Sequence, residues 1–536
     1  MTFLTSRTAV LSPVKPWPWL TLAGGLLIAA GAFAPALHSI NLVVLSVLAA
    51  AILCGWDREG LLAAFLLSGA LIHLLKRMIF LFGPQPQALY YGIQAIPAAL
   101  LALLLALAVR RRFLARAPAS ALLLLAYLLV ASASTAASLK WSSPAAAGGA
   151  FHQQLLPALM YFVSCALPAR DTRKALLSLC LLGAVSTLYG ALQLLSGPTP
   201  IDRAWAEEVH SYSIQGGKVL AYVQGTNNEF RGYSFYADPL TWGLLLLAVL
   251  TAGAIARELR FISGRVWRFT LAATTVGLFC AMTRTTWIGL FVMLGVLLLI
   301  RKRTMARAWP LFLLSVCLFA LTVGGGGYLY REFFLTRRVP VFENPLLRRY
   351  ATVGTVEARI TAWEEFKTAL SNATLIGRGN SVLTQLKEIP SSELGLGTGL
   401  VHNVAVQLVA QNGLAGFLLY VLFFAQWLRE AARNARRSRS QAELRCVQWI
   451  LAYAVASLVT GYWNGNCYMT YYYWFFLGLG SGTAFRAGEA AWANAPGVPG
   501  PGRPVDGRTA AFGASGPGAR LARRTQEGIG SQEAFG

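Results

Sequence analysis

Four short polar segments interrupt a largely apolar chain, and each carries side chains that can act on a charged substrate. The first runs Arg231-Gly-Tyr-Ser-Phe-Tyr-Ala-Asp-Pro239, and the second is Thr283-Arg284-Thr-Thr286. The third combines Arg359-x-x-x-Trp363 with Gly377-Arg-Gly-Asn380. The fourth is His402-Asn403-x-x-x-Gln407, followed by Gly413-Leu-x-Gly416.

These residue types are suited to binding a pyrophosphate beside a general base. Arginine offers a rigid fork of donors that matches phosphate oxygens, and hydroxyl groups flank Arg284. His402 comes at the start of an apolar helical segment, and the N-terminus of a helix favours anions. A neutral imidazole there can accept a proton at neutral pH. The segments therefore indicate a site in which arginines hold a diphosphate next to His402.

Simpler interpretations of the same residues stay open. A single arginine at a membrane boundary often marks the interface, and a lone histidine at a helix start is often a cap. Gly413 and Gly416 can serve only for close helix packing. His73, Lys76 and Arg77 lie in an apolar segment, where they either contact lipid phosphate or snorkel to the interface. Snorkelling is the preferred interpretation of these three.

Composition excludes a water-soluble enzyme, a disordered chain and a disulfide scaffold. Of 536 residues, 56% are hydrophobic and 13% are charged, against about 25% charged in a soluble domain. The seven cysteines form no Cys-x-x-Cys pair, so we interpret them as buried apolar residues. The net charge of +24 would suggest nucleic acid in a soluble protein. In a membrane protein it indicates basic cytoplasmic loops, and we expect no nucleic-acid partner.

Repeated apolar stretches of about 20 residues, each long enough to cross a bilayer, predict the fold class. It is an all-α polytopic membrane protein with 12–14 transmembrane helices, twelve if two closely spaced pairs each contain a re-entrant segment. The predicted spans are 19–37, 40–54, 61–82, 88–109, 119–139, 151–167, 175–196, 239–256, 269–283, 285–300, 310–330, 403–428, 446–463 and 468–486.

Counting cations in alternate loops predicts the orientation of the chain. One set of loops holds 21 Lys and Arg residues, and the short loops of the other set hold two. This bias places both termini in the cytoplasm, with 1–18 as the N-terminal segment and 19–486 as the membrane domain. The tail, 487–536, is rich in Gly, Pro and Arg and is predicted to be disordered, with contacts at most to membrane lipids.

Two long loops, 197–238 and 331–401, fall on the outer side and are predicted to form folded periplasmic caps. Both are rich in aromatic residues and paired charges. In the second loop, apolar residues recur at helical spacing from Ile360 to Leu370. That helix either lies on the membrane surface or packs on its own loop.

Taken together, the four segments resemble the O-antigen ligase/polymerase family of bacterial envelope proteins. The resemblance extends from about Arg231 to Gly416, and its most specific part is the His-Asn element after a Gly-x-Gly element. Two residues depart from the family pattern. Ser234 replaces a usual glycine, and Arg378 stands where an apolar residue is commoner.

The resemblance implies an inverting membrane glycosyltransferase of the bacterial inner membrane whose active site faces the periplasm. Its donor would be a glycan on undecaprenyl pyrophosphate. Arg231, Arg284 and His402 would be catalytic, with the arginines on the pyrophosphate and His402 activating the acceptor hydroxyl. Substrate-binding residues would be Arg359, Trp363, Asn403 and Gln407.

No cofactor or metal is expected, because the chain lacks nucleotide-binding and metal-binding motifs. The acceptor is the lipid A core in a ligase or another lipid-linked glycan in a polymerase, and the ligase is the leading hypothesis. A transporter of lipid-linked sugar and a structural membrane scaffold are further alternatives. A transporter predicts polar groups through the bilayer and internal repeats, and neither is evident in the sequence.

Overall fold

In the computed structural model, every regular element among the described residues is helical. The structure describes residues 58–78, 95–109, 118–140, 155–167, 169–208, 232–236, 239–281, 283–301, 371, 373–379, 404–438, 440–464 and 470–482. The α-helices in these ranges are α1 Arg58–Met78, α2 Ala95–Val109, α3 Ala119–Ala137, α4 Leu159–Cys165, α5 Arg173–Ser196, α6 Pro200–Glu208, α7 Pro239–Glu258, α8 Gly264–Ala281, α9 Arg284–Ile300, α10 Val404–Arg437, α11 Gln441–Asn464 and α12 Tyr471–Ser481.

Five of the described helices are long and apolar enough to cross a membrane: α3, α5, α7, α10 and α11. A sixth is α1, if its two halves, which meet at 53°, count as one span. Exposed apolar side chains line one side of α5, from Leu181 through Leu188 to Leu195. Such a stripe is unfavourable in water and suits contact with lipid chains. The protein is an all-α polytopic membrane protein, as predicted.

Eleven of the fourteen predicted spans overlap a described helix, although the helix within 151–167 covers only Leu159–Cys165. The segments 19–37, 40–54 and 310–330 lie outside the described residues, as do the N-terminal segment 1–18 and the tail 487–536. The total of 12–14 spans therefore stays a prediction.

Helix α7 is the core of the described bundle. Its side chains from Trp242 to Ala256 are buried on all sides, and it packs on α5, α8, α9 and α11. A helix that is apolar all round is expected at the centre of a helical membrane protein. The two ends of α7 therefore define two ends of the bundle.

The cation-rich loops come together at the end of the bundle where α7 finishes. Arg445 forms an ion pair with Glu258 at 3.3 Å. On the same side, Arg301 donates from Nε to Gln448 Oε1 at 3.2 Å. We refer to this as the basic end. The start of α7 lies at the opposite end, which we call the polar end, and the candidate segments that the structure describes lie there.

The prediction was wrong about the end of the span beginning at 403. Helix α10 continues past the predicted residue 428 to Arg437, because its sequence remains rich in Ala, Arg and Glu, which are good helix formers. At the basic end, the buried Glu430 of α10 accepts hydrogen bonds from the backbone N–H and the hydroxyl of Ser120, the second residue of α3. This contact fastens the extension of α10 to α3.

Candidate active site

The segment Gly232–Tyr236, which directly follows Arg231, is held by buried polar contacts at the polar end. The Oε1 atom of Gln193 in α5 accepts hydrogen bonds from the backbone N–H groups of Tyr233 and Ser234, at 3.1 and 2.7 Å. The Ser234 hydroxyl donates to the Ser186 carbonyl at 2.7 Å. Ser234 has φ of +53°, a left-handed conformation that glycine adopts most readily. The residue that departs from the family pattern thus occupies a position where glycine fits.

Arg77, near the end of α1, contacts the same segment. Its guanidinium donates to the carbonyl of Ser234 at 2.8 Å and also to the carbonyl of Tyr236. It lies over the rings of Trp205 and Tyr233, at 4.8 and 4.7 Å from their centres. Burial raises the pKa of the Tyr233 and Tyr236 phenols, so both remain neutral. The expectation that Arg77 snorkels was wrong, because its side chain is 1% exposed.

Asp202 of α6 neutralises Arg77 through an ion pair at 2.7 Å, and its own side chain is fully buried. Its second oxygen accepts hydrogen bonds from Gln193 Nε2 at 3.0 Å and from the Thr199 hydroxyl at 2.8 Å. A buried ion pair is tolerated when further hydrogen bonds satisfy its remaining atoms. The loop 197–238 thus contains ordered structure, with one helix packed on α1 by this pair.

The second candidate segment forms the tight turn that the sequence predicts. Two residues separate the end of α8 at Ala281 from the start of α9 at Arg284. Thr283 is extended and occupies the N-cap position of α9, and the Thr286 hydroxyl donates to the Thr283 carbonyl at 2.8 Å. The first N–H groups of a helix lack intrahelical partners, so this turn presents a helix N-terminus that favours an anion.

A backbone hydrogen bond joins the first two segments. The N–H of Gly232 donates to the carbonyl of Cys280 at 3.1 Å. Gly232 is the neighbour of Arg231, and Cys280 precedes Arg284 by four residues. The structure therefore brings Gly232, at the start of the described part of the first segment, close to the turn that begins α9.

The third and fourth segments also pair, because α10 is broken at Gly413 and residues 374–379 fill the break. Backbone N–H groups of Arg378 and Gly379 donate to the carbonyls of Ala410 and Gln411, at 3.3 and 2.8 Å. In an unbroken helix those carbonyls would accept from residues 414 and 415. The N–H groups of Leu414 and Ala415 instead donate to residues 374 and 375, both at 3.0 Å. The inserted segment thus replaces the helical hydrogen bonds that the break removes.

Aromatic residues of α12 contact both the first segment and α10. The hydroxyls of Tyr236 and Tyr472 lie 3.0 Å apart, so α12 contacts the first segment. The next residue, Tyr473, has its hydroxyl 3.0 Å from that of Tyr420, which lies on α10 beyond the break. Consecutive residues of α12 therefore connect the first segment to the helix that carries the fourth.

Comparison with known families assigns this part of the chain. Residues 269–421 match the family model described as O-antigen ligase. This segment belongs to the O-antigen ligase family. The match begins in α8, includes the turn at Arg284 and the break at Gly413, and ends in α10. A search of curated proteins finds no match to the chain.

The O-antigen ligase assignment supports a membrane glycosyltransferase of the ligase/polymerase type, with lipid-linked glycans as the substrate class. It agrees with the resemblance carried by the four segments. Within the described residues, no group of three or more His, Cys, Asp or Glu side chains is arranged to hold a metal ion.

Of the seven residues that the sequence analysis predicted for the site, the structure describes two. Arg284 begins α9, although its side chain lies outside the described part of the chain. Gln407 is buried at the end of the first turn of α10, which begins at Val404. The other five, all outside the described residues, are Arg231, Arg359, Trp363, His402 and Asn403.

The sequence analysis missed three polar residues of the site, Arg77, Gln193 and Asp202. The sequence did contain an indication for Arg77, because a charged residue within an apolar span usually has a function and a charged partner. Its partner Asp202 lies 125 positions away, in a loop that sequence periodicity does not describe.

Proposed function

We propose that this protein is an O-antigen-ligase-type glycosyltransferase. It moves a glycan from undecaprenyl pyrophosphate to an acceptor hydroxyl at the periplasmic face of the bacterial inner membrane. The observation that best supports this proposal is the hydrogen bond from Gly232, the residue after Arg231, to Cys280, which precedes the Arg284 turn. Two arginines adjoining a helix N-terminus form a suitable receptor for a diphosphate.

In this proposal the acceptor oxygen attacks the anomeric carbon as the bond from that carbon to the pyrophosphate oxygen breaks. The anomeric configuration is inverted, and the electron pair leaves with undecaprenyl pyrophosphate. His402 accepts the proton of the acceptor hydroxyl. Arg231 and Arg284 stabilise the negative charge that grows on the leaving group. Guanidinium groups then supply the charge stabilisation that a metal ion gives in other transferases. We therefore expect glycan transfer to continue in the presence of a metal chelator.

The remaining predicted residues bind and orient the substrates. Asn403 would orient His402, and Gln407 follows Asn403 by four positions, one helical turn further along α10. Arg359 and Trp363 would contact the donor from the loop 331–401. The pairing of residues 374–379 with α10 supports this assignment, since it joins the second half of that loop to the helix that follows His402.

The leading acceptor is the lipid A core, and the alternative is a second lipid-linked glycan, which would make the protein a polymerase. Both use the same donor. The test is to incubate the purified protein in liposomes with lipid-linked glycan and with each acceptor separately, measuring the glycosylated product and released undecaprenyl pyrophosphate. Product with only one acceptor identifies the role. Absence of product with both acceptors contradicts the proposal.

Variants of Arg284 and His402 test the assignment of the site. Removing one preorganised donor to a developing anion costs about 10²–10³-fold in kcat, so we expect Arg284→Ala to fall in that range. His402→Ala should abolish measurable transfer. Arg265→Ala is the matched control, because Arg265 is exposed in the first turn of α8 at the basic end. Equal losses in Arg265→Ala and Arg284→Ala would contradict the assignment.

A further inference from the structure

The guanidinium of Arg77 forms hydrogen bonds and ring contacts within the protein, so we expect it to hold the chain in place and not to bind a ligand. One guanidinium nitrogen donates to Asp202 and to the Ser234 carbonyl, and the other donates to the Tyr236 carbonyl. Rings of Trp205 and Tyr233 lie against it. The side chain is 1% exposed, which leaves no face open to a substrate.

The carbonyls that Arg77 binds belong to one five-residue segment, Gly232–Tyr236. Gln193 binds the same segment from α5: its Oε1 accepts the N–H of Ser234, and its Nε2 donates to the Ser234 carbonyl at 3.1 Å. A fork that binds two carbonyls at once fixes orientation as well as distance, which a lysine ammonium does less well. Arg77 from α1 and Gln193 from α5 thus hold the segment together, and both donate to the Ser234 carbonyl.

Asp202 allows a guanidinium to be buried at this point. Its carboxylate neutralises Arg77 and also accepts from Gln193, so that one acid connects both residues that hold the segment. Breaking a buried pair by removing one partner leaves an uncompensated charge, whereas the pair as a whole contributes little to stability. The network therefore specifies the conformation of the segment more than it stabilises the fold.

We propose that Arg77, together with Gln193 and Asp202, is a positioning residue that fixes Gly232–Tyr236 and thereby orients the residue that precedes this segment in the chain, Arg231. This inference rests on the proposed function, because it takes Arg231 as a contact to the pyrophosphate of the donor. Arg77 itself does not touch the substrate.

Hydrogen–deuterium exchange of the full-length protein in detergent tests the positioning without relying on activity. The backbone N–H groups of Gly232, Tyr233, Ser234 and Tyr236 are all hydrogen bonded, so a peptide covering them should exchange slowly. In Arg77→Lys and Gln193→Ala, we expect exchange in this peptide to be at least ~10-fold faster. Glu430→Gln is the matched control, because it perturbs an equally buried polar network at the basic end.

Kinetics then connect the segment to Arg231. A misplacement of about 1 Å can cost 10²-fold, so Arg77→Lys should lower kcat about 10- to 100-fold while the KM for the lipid-linked donor changes little. Residues that act through one another are not additive. In an Arg231→Ala background, Arg77→Lys should therefore lower kcat by less than ~3-fold further. Glu430→Gln should keep its own small effect in both backgrounds.

The outcomes separate this inference from the proposed function. Faster exchange restricted to the 232–236 peptide, together with non-additive loss of kcat, supports it. Unchanged exchange in Arg77→Lys overturns it, and so does full additivity with Arg231→Ala. If the wild-type protein transfers no glycan at all, the proposed function fails, while the exchange experiment still decides whether Arg77 fixes the segment.

Discussion

Gly377 packs its backbone directly against the backbone of Gly413, and both residues are left-handed, with φ of +81° and +69°. A Cβ atom on either glycine would overlap the amide nitrogen of the other. This approach lets residues 374–379 enter the break in α10 and replace its missing hydrogen bonds. The segment 374–379 of the loop 331–401 is thereby fixed to the helix that follows His402.

Replacing Gly413 by alanine should destabilise the protein through two separable effects. The left-handed conformation costs about 1–2 kcal/mol for a residue with a Cβ atom. Overlap with the backbone of the inserted segment should add about 1–3 kcal/mol. Gly197→Ala is the matched control, since Gly197 has φ of +79° and nothing lies within 4 Å of an added Cβ.

Thermal stability in detergent, followed by size-exclusion chromatography after heating, measures both variants. We expect Gly413→Ala to lose markedly more stability than Gly197→Ala. Equal losses would mean that the Gly377–Gly413 contact is not close in solution.

Substitutions at Ser234 test the left-handed conformation of the segment after Arg231. Ser234→Gly loses one hydrogen bond to Ser186, worth about 0.5–1.5 kcal/mol, and relieves about 1–2 kcal/mol of backbone strain. Its free energy of unfolding should therefore stay within about 1 kcal/mol of the wild type. Ser234→Ala keeps the strain and should be less stable, and Ser234→Val, which is β-branched, should be the least stable. A glycine variant less stable than the alanine variant contradicts this order.

Much of the fold followed from the sequence because apolar stretches of helical length have few alternative structures in a membrane. The short connection before Arg284 was predicted from the position of one polar cluster between two apolar runs, and the structure confirms it. The start of α10 at Val404 likewise agrees with the predicted opening of a span by the His-Asn element.

The relationships within the site were harder to predict because they join residues that are distant along the chain. The pair Arg77–Asp202 spans 125 positions, and no local pattern assigns that partner. The sequence analysis left open whether Gly413 serves only for close helix packing, and it did not predict that this residue breaks the helix. A helix break can be predicted from the sequence only if one knows which other segment forms hydrogen bonds with the backbone groups that the break leaves unpaired. Here that segment lies more than 30 residues upstream.

Two exposed serines at opposite ends of the bundle test the predicted orientation. Ser196 ends α5 at the polar end, and Ser263 precedes α8 at the basic end. Since cation-rich loops face the cytoplasm, the polar end should face the periplasm. A membrane-impermeant maleimide should label Ser196→Cys in cells with a permeabilised outer membrane. It should label Ser263→Cys only after the inner membrane is opened.

Labelling of the wild-type protein measures the background from its native cysteines in that experiment. Labelling of Ser263→Cys in cells with an intact inner membrane would show that the topology is the reverse of the predicted one. It would place the Arg284 turn in the cytoplasm and remove the periplasmic site.

Close packing of α7 against α9 should control the position of the Arg284 turn. A Cβ atom at Gly243 would overlap the methyl group of Thr286, two residues after Arg284. We therefore expect Gly243→Ala to displace the start of α9 and to lower both thermal stability and kcat for transfer. Adding Thr286→Ser removes that methyl group and keeps the hydroxyl that donates to Thr283.

The double variant Gly243→Ala/Thr286→Ser should recover most of both losses, because the remaining Thr286 atoms lie 3.0 Å from the added Cβ and need only a small adjustment. Gly253→Ala is the control on the same helix, since its added Cβ meets Trp267 at 3.0 Å near the basic end. It should lower stability and leave kcat per folded molecule unchanged. A double variant as impaired as Gly243→Ala alone would show that the α7–α9 contact does not set the turn.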